Sequence, residues 1–369
     1  MKRRNFLKGA LASSAAVAAA SSFPAPAISQ GRMEWKMVTS WPRGLGGLHT
    51  GAERFAQRIG EMTDGRLTIK VFAGGELVPA LQCFDAVAGG TAEIGHDAPY
   101  YHLSKSPAMA FYSTVPFGLT ATEMAAWMHF GGGQQLFEKL MARFGLKAYH
   151  GGNTGHQLAG WFRKEIKSVD DLKGLKFRMP GQGGLAMQKL GVNVVNLPGG
   201  EVFQALQSGA LDGTEWVGPY NDLALGFYKV APFYYYPGFH EPGTALQVMF
   251  NKAKLEALPK DLQAILKYCC HAENDTMLAE FNARSGPALR ELVTKHQVKL
   301  RKVPNEVVIA FGNASGEVLQ EVIDKGDDIT KEVARSFLAF RQEQINYNRI
   351  TDEAYTIARR LRFKYPTKA

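Results

Sequence analysis

The sequence predicts two α/β lobes that face each other across a cleft. Three observations predict it. Once an N-terminal leader is set aside, about 340 residues remain, more than one core comfortably holds. Strand-like and helix-like stretches alternate with short, glycine-marked links, the pattern of an α/β lobe on a largely parallel sheet. The third observation is an echo about 119 residues apart, in which Phe84-Asp85-Ala86-Val87-Ala88-Gly89-Gly90-Thr91-Ala92-Glu93 aligns with Phe203-Gln204-Ala205-Leu206-Gln207-Ser208-Gly209-Ala210-Leu211-Asp212. Both copies read as a helix end, a glycine stop and a short strand, and a Pro-Tyr pair follows each, Pro99-Tyr100 and Pro219-Tyr220. Parallel sheets take ligands at the carboxyl ends of their strands, so two such ends facing each other define an interlobe cleft.

Residues 1–29 read as an export leader of the twin-arginine type. Lys2-Arg3-Arg4-Asn5-Phe6-Leu7-Lys8 is a charged start, Gly9 to Ala20 a mild apolar run, and Ala25-Pro26-Ala27-Ile28-Ser29 a small-residue stretch suited to cleavage. Lys2 stands where Ser or Thr is usual before the arginine pair. The run is too short and alanine-rich for a membrane span, and nothing after it resembles an 18-residue apolar stretch, so a soluble mature chain is expected. Loss of Lys2, Arg3, Arg4 and Lys8 lowers the formal charge from +9 to +5. That mild excess speaks against nucleic-acid binding, which needs basic residues clustered on one face, and suits a protein that draws in anions.

The first lobe is expected over residues 30–150, completed by part of 244–328. Residues 34–40 alternate as a strand, Leu48 to Met62 form an amphipathic helix, and Asp64-Gly65 turns into a strand over 66–72. Pro79 to Ala88 form a second helix, and a short strand over 92–96 ends at Asp97-Ala98-Pro99-Tyr100-Tyr101. The second lobe is expected over 151–243, with strands over 158–163, 175–179 and 192–196 and a helix over 182–190. Residues 246–250 return the chain to the first lobe, and helices follow over about 259–285 and 304–325. Residues 329–365 carry a stripe (Val333, Phe337, Phe340, Tyr347, Ile350, Ala354, Ile357, Leu361) that predicts one long C-terminal helix of about 45 Å. Such a stripe either crosses the back of both lobes or packs on another subunit.

Catalytic signatures are missing: there is no His-Glu-x-x-His, no Gly-x-Ser-x-Gly, no phosphate loop and no spaced cysteine pair. Three cysteines, an odd number, argue against a disulfide framework. Cys269 continues the stripe of Leu262, Ile265 and Leu266, and the run Cys269-Cys270-His271 cannot converge on one metal at about 100° per residue. Lone histidines such as His96 and His156 read as structural residues. Gly181-Gln182-Gly183-Gly184 opens a helix, but without the rest of a nucleotide fingerprint it does not carry a phosphate reading.

Polar residues at expected strand ends stand out instead. Arg178 ends a strand before Pro180, where its planar fork can grip a carboxylate. Glu215 and Trp216 end the second-echo strand, offering a carboxylate and a backbone carbonyl. Glu241 follows the aromatic run 234–240, and Gln157 follows Gly151-Gly152-Asn153-Thr154-Gly155. Two carboxylates, an amide oxygen and a carbonyl are hard ligands, suited to Na⁺ or Ca²⁺. Such a cation, with Arg178, would select an acid that offers a carboxylate and an adjacent oxygen.

At these residues the chain resembles the periplasmic solute-binding subunits of TRAP transporters, and within them the subgroup that binds 2-oxoacids such as pyruvate. The matching stretches run over nearly all of the mature chain. They are Gly74-Gly75-Glu76-Leu77-Val78-Pro79, Gly151-Gly152-Asn153-Thr154-Gly155, Gly160-Trp161-Phe162-Arg163, Glu215-Trp216-Val217-Gly218-Pro219-Tyr220 and 229–238. The resemblance implies a two-lobed periplasmic-binding-protein fold, type II-like, joined by crossing strands and a long helix and closing over the ligand. It implies a metal cation on Gln157, Glu215, the Trp216 carbonyl and Glu241, a ligand carboxylate on Arg178, and an aromatic pair at Tyr100 and Tyr101. It also implies a periplasmic location, delivery to TRAP membrane permease subunits, and a homodimer through the C-terminal helix. The subgroup reads two tryptophans, Glu and Gly-Gly around the metal-site glutamate; here Phe239-His240-Glu241-Pro242-Gly243 changes the size and polarity of that wall.

The resemblance leads to the reading of a binding module, not an enzyme, that captures a small 2-oxo or 2-hydroxy monocarboxylate with a cation. The alternative is an exported metal-dependent enzyme acting on a small carboxylate, which the twin-arginine leader supports and a paired general acid and base near the metal would favour. A scaffold for partner proteins would explain the long helix but not the polar strand ends.

Overall fold

The computed structural model describes residues 31–365, so the leader expected over 1–29 lies outside the described residues. The first lobe begins with β1 (Met33–Thr39), α1 (His49–Met62), β2 (Leu67–Phe72), α2 (Cys83–Ala88) and β3 (Ile94–Asp97). Helices α3 (Ala121–Phe130) and α4 (Gly133–Ala142) lead to β4 (Leu146–Asn153), which ends at the boundary between the lobes. The second lobe contains β5 (Gly160–Phe162), β6 (Lys176–Arg178), α5 (Gly181–Lys189), β7 (Asn193–Val195), α6 (Gly199–Ser208), β8 (Gly213–Thr214), α7 (Pro219–Leu225) and β9 (Phe233–Tyr236). The chain then returns through β10 (Ala245–Asn251) and α8 (Lys252–Glu256), and continues in α9 (Lys260–Thr294), β11 (Lys299–Lys302), α10 (Asn305–Lys325), α11 (Asp328–Asn348) and α12 (Asp352–Ala358).

The two sheets repeat one topology. The first runs β2-β1-β3-β10-β4 and the second β7-β6-β8-β5-β9, with β11 added at its edge. In each, three parallel strands meet a fourth that is antiparallel, β10 beside β3 and β5 beside β8. The antiparallel members belong to the crossing connections β4–β5 and β9–β10, so neither sheet is wholly parallel. The sequence echo has a conformational counterpart. Gly90 and Gly209 both hold a left-handed backbone, φ 80° and 79°, which a side chain would strain.

Among the described residues the apolar side chains gather in four clusters. One lies under α3, α4 and α11 around Trp127, Phe137 and Phe337, and another holds α1 and α9 on the opposite face of the first sheet around Phe55 and Leu266. A third spans the lobes, bringing Trp41 and Tyr100 together with Trp161, Trp216, Met277 and Phe281. The fourth packs α10 on the second sheet through Val307 and Phe311. Contacts across the mouth also join the lobes. The Asn221 amide donates to the Gly46 carbonyl at 2.7 Å, and the Tyr220 hydroxyl to Glu280 at 3.0 Å.

Two expectations about the C-terminal third need correction. The helix expected over 259–285 is α9, 35 residues and about 50 Å long, and it passes through Pro287. Gly286 and Pro287 face solvent while Phe281, Ala288 and Leu292 continue the buried stripe, so the carbonyl that proline leaves unbonded lies on the water side. This helix packs along both lobes, on α1 and β4 and on α7. Residues 299–325 pack with the second lobe, while β10, also within 244–328, lies in the first sheet.

The single helix expected over 329–365 is instead broken at 349–351. Thr351 leaves helical geometry at φ −115°, ψ −97°, its hydroxyl donates to the Tyr347 carbonyl at 3.1 Å, and Asp352 and Glu353 fill the first turn of α12. Acidic residues favour a new helix start, and among the described residues the stripe beyond Asn348 is left exposed. Val333 and Phe337 are fully buried, whereas Tyr347, Ile350, Ile357 and Leu361 are each more than half exposed.

Candidate functional site

Five segments converge between the sheets. Tyr100 and Tyr101 stand in the 3₁₀ turn after β3, Arg178 ends β6, and Glu215-Trp216 follow β8 directly. Gln157 lies in the crossing from β4 to β5 and Glu241 in the crossing from β9 to β10. Main-chain bonds fix these segments to each other. Glu215 N–H donates to the Arg178 carbonyl, Gln157 N–H to Glu241 and Leu158 N–H to Val217, each at 3.2 Å. Gly238 lets the two crossings touch, since a Cβ there would lie 2.2 Å from the Gln157 carbonyl oxygen.

The structure brings all seven sequence-selected residues to this one place. Arg178 and Glu215 are 1 % and 0 % exposed and form an ion pair through Nη1 and Oε1. Arg178 Nη1 also reaches the Glu215 carbonyl at 3.3 Å, Nε the Leu197 carbonyl at 3.3 Å, and Nη2 the Tyr101 hydroxyl at 3.5 Å. Its guanidinium lies 4.8 Å from the centroid of the Trp216 ring system, a cation–π contact in a desolvated setting. The Glu241 carboxylate accepts from the Thr244 hydroxyl and from Tyr100. Burial, and then the charge of Glu215, hold its pKa well above the usual carboxylate range. Burial likewise lifts Tyr100 well above its ordinary value and Tyr101 to about 12, so both phenols remain protonated donors at neutral pH.

Two oxygens are conspicuous for having no partner. Gln157 directs its amide nitrogen to Thr154 Oγ1 and Thr244 Oγ1, both at 3.1 Å, which turns Oε1 away; that oxygen is buried and accepts nothing. Glu215 Oε2 is buried and unbonded as well. Buried polar atoms are almost always satisfied in a native protein, so two orphaned oxygens among these residues mark a place for a ligand or an ion. Their chemistry fits a hard cation. The charges also fit: two carboxylates oppose one guanidinium, and a cation tips the balance so that a monocarboxylate is welcome.

Three residues here escaped the sequence reading as site members. Thr154 and Thr244 orient the Gln157 amide, and a hydroxyl 87 residues away in sequence gives no local signal. His240 is 1 % exposed, with neither ring nitrogen bonded and Nε2 3.6 Å from Glu215 Oε2. Its signal was its place beside Glu241. By contrast His96 is structural: Nδ1 accepts from Trp41 Nε1 at 2.7 Å and Nε2 donates to the Gly151 carbonyl at 3.2 Å. Cys83, Cys269 and Cys270 are free thiols, all buried.

Two lobes of matching topology, joined by crossing strands and closed over polar, desolvated groups, define a solute-binding protein of the two-lobed kind. The chain belongs to bacterial extracellular solute-binding protein family 7, the DctP family, whose model matches residues 45–325. It is 45 % identical to the monocarboxylate 2-oxoacid-binding periplasmic protein of Nostoc sp. over 96 % of this chain and 98 % of that one. Among solved structures, a TRAP transporter solute-binding protein from Bordetella bronchiseptica matches with a TM-score of 0.86 at 38 % identity, covering 88 % of this chain and 97 % of that one. It is a mixed-occupancy dimer with calcium and picolinate in one site. A TRAP periplasmic solute-binding protein from Pseudoalteromonas atlantica, with bound sodium and pyruvate, matches with a TM-score of 0.85 at 37 % identity, covering 88 % of this chain and 99 % of that one.

Proposed function

We propose that this protein captures a small 2-oxo or 2-hydroxy monocarboxylate, together with Ca²⁺ or Na⁺, between its lobes and delivers it to a TRAP membrane permease. The observation that carries the reading is the pairing of the buried Arg178 guanidinium with the orphaned oxygens of Gln157 and Glu215. Gln157, Glu215, Glu241 and the Trp216 carbonyl would hold the cation, which supplies positive charge to a carboxylate and its neighbouring oxygen. Arg178 offers its guanidinium to the carboxylate, and the phenols of Tyr100 and Tyr101 close the wall opposite. Pyruvate and picolinate, the acids bound by the two solved relatives, both place a second donor next to the carboxylate.

The same reading places the protein in the periplasm, exported through the leader at 1–29 by the twin-arginine route, and assigns it no catalysis. It also makes the chain a homodimer. Tyr347, Ile350, Tyr355, Ile357 and Leu361 extend an exposed apolar stripe from α11 onto α12, which a second copy would cover.

Equilibrium dialysis of the mature protein against labelled pyruvate, with calcium and then with chelator, tests the reading. One intact molecule retained per chain, and lost on chelation, is the expected result. Failure to retain any 2-oxo or 2-hydroxy acid, or conversion of the acid to product, overturns it.

A further inference from the structure

His240 is held in place more firmly than a wall residue needs to be. Phe239 beside it stacks on Phe117 at 5.6 Å and packs on Phe311 at 4.8 Å, and its carbonyl accepts from Phe117 N–H at 2.9 Å. On the other side Glu241 N–H closes a turn onto the Gly238 carbonyl at 3.2 Å. The imidazole is thereby fixed in the cleft with both nitrogens buried and unbonded. An unsatisfied buried ring costs free energy that an incoming partner offsets.

The geometry says which partner. His240 Nε2 and Glu215 Oε2 stand 3.6 Å apart, too far for a hydrogen bond. Two donors about 2.1 Å from one cation, at a tetrahedral or slightly wider angle, stand roughly 3.4–3.6 Å apart. One donor atom from each of Glu215, His240 and Glu241 falls within 4.8 Å of the other two, and all three residues are buried. Sodium and calcium take oxygen ligands, whereas imidazole suits zinc, cobalt, nickel and copper.

We propose that His240 is a nitrogen ligand of the cleft cation, giving this receptor a mixed nitrogen–oxygen donor set that accepts a borderline transition cation as well as a hard one. The inference rests on the cation-assisted capture proposed above and narrows which cation the cleft prefers. It follows from the buried, unbonded ring of His240 and its distance from Glu215.

The test uses the mature protein stripped with chelator, titrated with Co²⁺ and separately with Ca²⁺, each with and without pyruvate. Wild type, His240→Phe and His240→Gln are compared. The expected result is a visible Co²⁺ band in wild type and a loss of about tenfold or more in Co²⁺ affinity in His240→Phe, with Ca²⁺ affinity little changed. Equal Co²⁺ affinity in wild type and variant overturns the inference. So does a variant that reorders preference among acids but not among cations, since the histidine would then address the ligand. Pulsed EPR of Cu²⁺-loaded wild type needs no variant; nitrogen coupling from one imidazole supports the inference and its absence overturns it. Pyruvate retained with Ca²⁺ while the Co²⁺ results fail would leave the receptor reading standing. Co²⁺ bound through His240 with no acid retained would sink the receptor reading instead.

Discussion

The guanidinium of Arg178 lies over the indole of Trp216 at 4.8 Å while Glu215, the preceding residue, holds the same guanidinium in a buried ion pair. One dipeptide therefore orients the arginine from two sides. Gly199 makes room for this, since a Cβ there would fall 2.2 Å from the indole ring. Arg178→Ala removes the carboxylate partner and leaves Glu215 charged and alone. Acid affinity should fall by at least about thirtyfold, and stability by roughly 3 kcal/mol, as for other buried pairs broken on one side. Arg178→Lys should rescue little, because an ammonium cannot replace a planar fork under an indole. Calorimetry and urea unfolding of the three proteins check both effects; an alanine variant with native affinity contradicts the assigned role.

Glu241→Gln retains the volume of the side chain and its contact with Thr244 while removing one charge from the candidate cation site. Calcium affinity should fall by about tenfold or more, because the count of charged ligands sets affinity in such sites. Acid binding should recover in part at high calcium. Loss of acid binding that no amount of calcium restores would place Glu241 on the ligand rather than on the cation.

His96 and His150 make the fold acid-labile. Burial lowers each pKa from 6.5 to about 4 in the folded state, and each ring donates from Nε2 to a carbonyl, His150 to Tyr112 at 2.8 Å. The unfolded chain then binds more protons than the folded one between these values. The stability from each neutral ring is fully present above about pH 6.5 and is lost as pH falls toward 4, by up to about 3 kcal/mol per histidine. Urea midpoints measured from pH 7 to pH 4 should fall more steeply for wild type than for His150→Gln. Identical slopes contradict the prediction.

The chain truncated after Asn348 should be monomeric and should bind its acid as tightly as the full mature chain, because the site and the apolar stripe share no residue. Sedimentation at matched concentrations checks the first point and titration the second. A dimer that survives truncation moves the interface elsewhere.

The fold was legible wherever one residue type answers one local demand. Gly90 and Gly209 announced the two helix–strand joints because only glycine takes the left-handed turn without strain. Arg178 and Glu215 were visible because a charged residue at a strand end has few ordinary uses. What stayed hidden depends on partners distant in sequence. Thr244 aims the Gln157 amide, yet neither residue signals the other, and the ring of His240 gains its meaning only from Glu215 opposite. The helix end expected near residue 285 missed the continuation through Pro287, because periodicity cannot show that the carbonyl left unbonded there faces water. The break at Thr351 was hidden for a similar reason: the stripe runs on, but no described residue covers it.

Calorimetric titration of mature protein with pyruvate and a panel of longer 2-oxo, 2-hydroxy and aromatic acids tests the central claim most directly. Each titration is run in calcium, in sodium without calcium, and in chelator without either ion. The account predicts saturable one-to-one binding of at least one 2-oxo or 2-hydroxy acid, dependent on the cation and abolished in Arg178→Ala. Silence across the panel in cation-replete buffer, or binding indifferent to both the cation and Arg178, would contradict it.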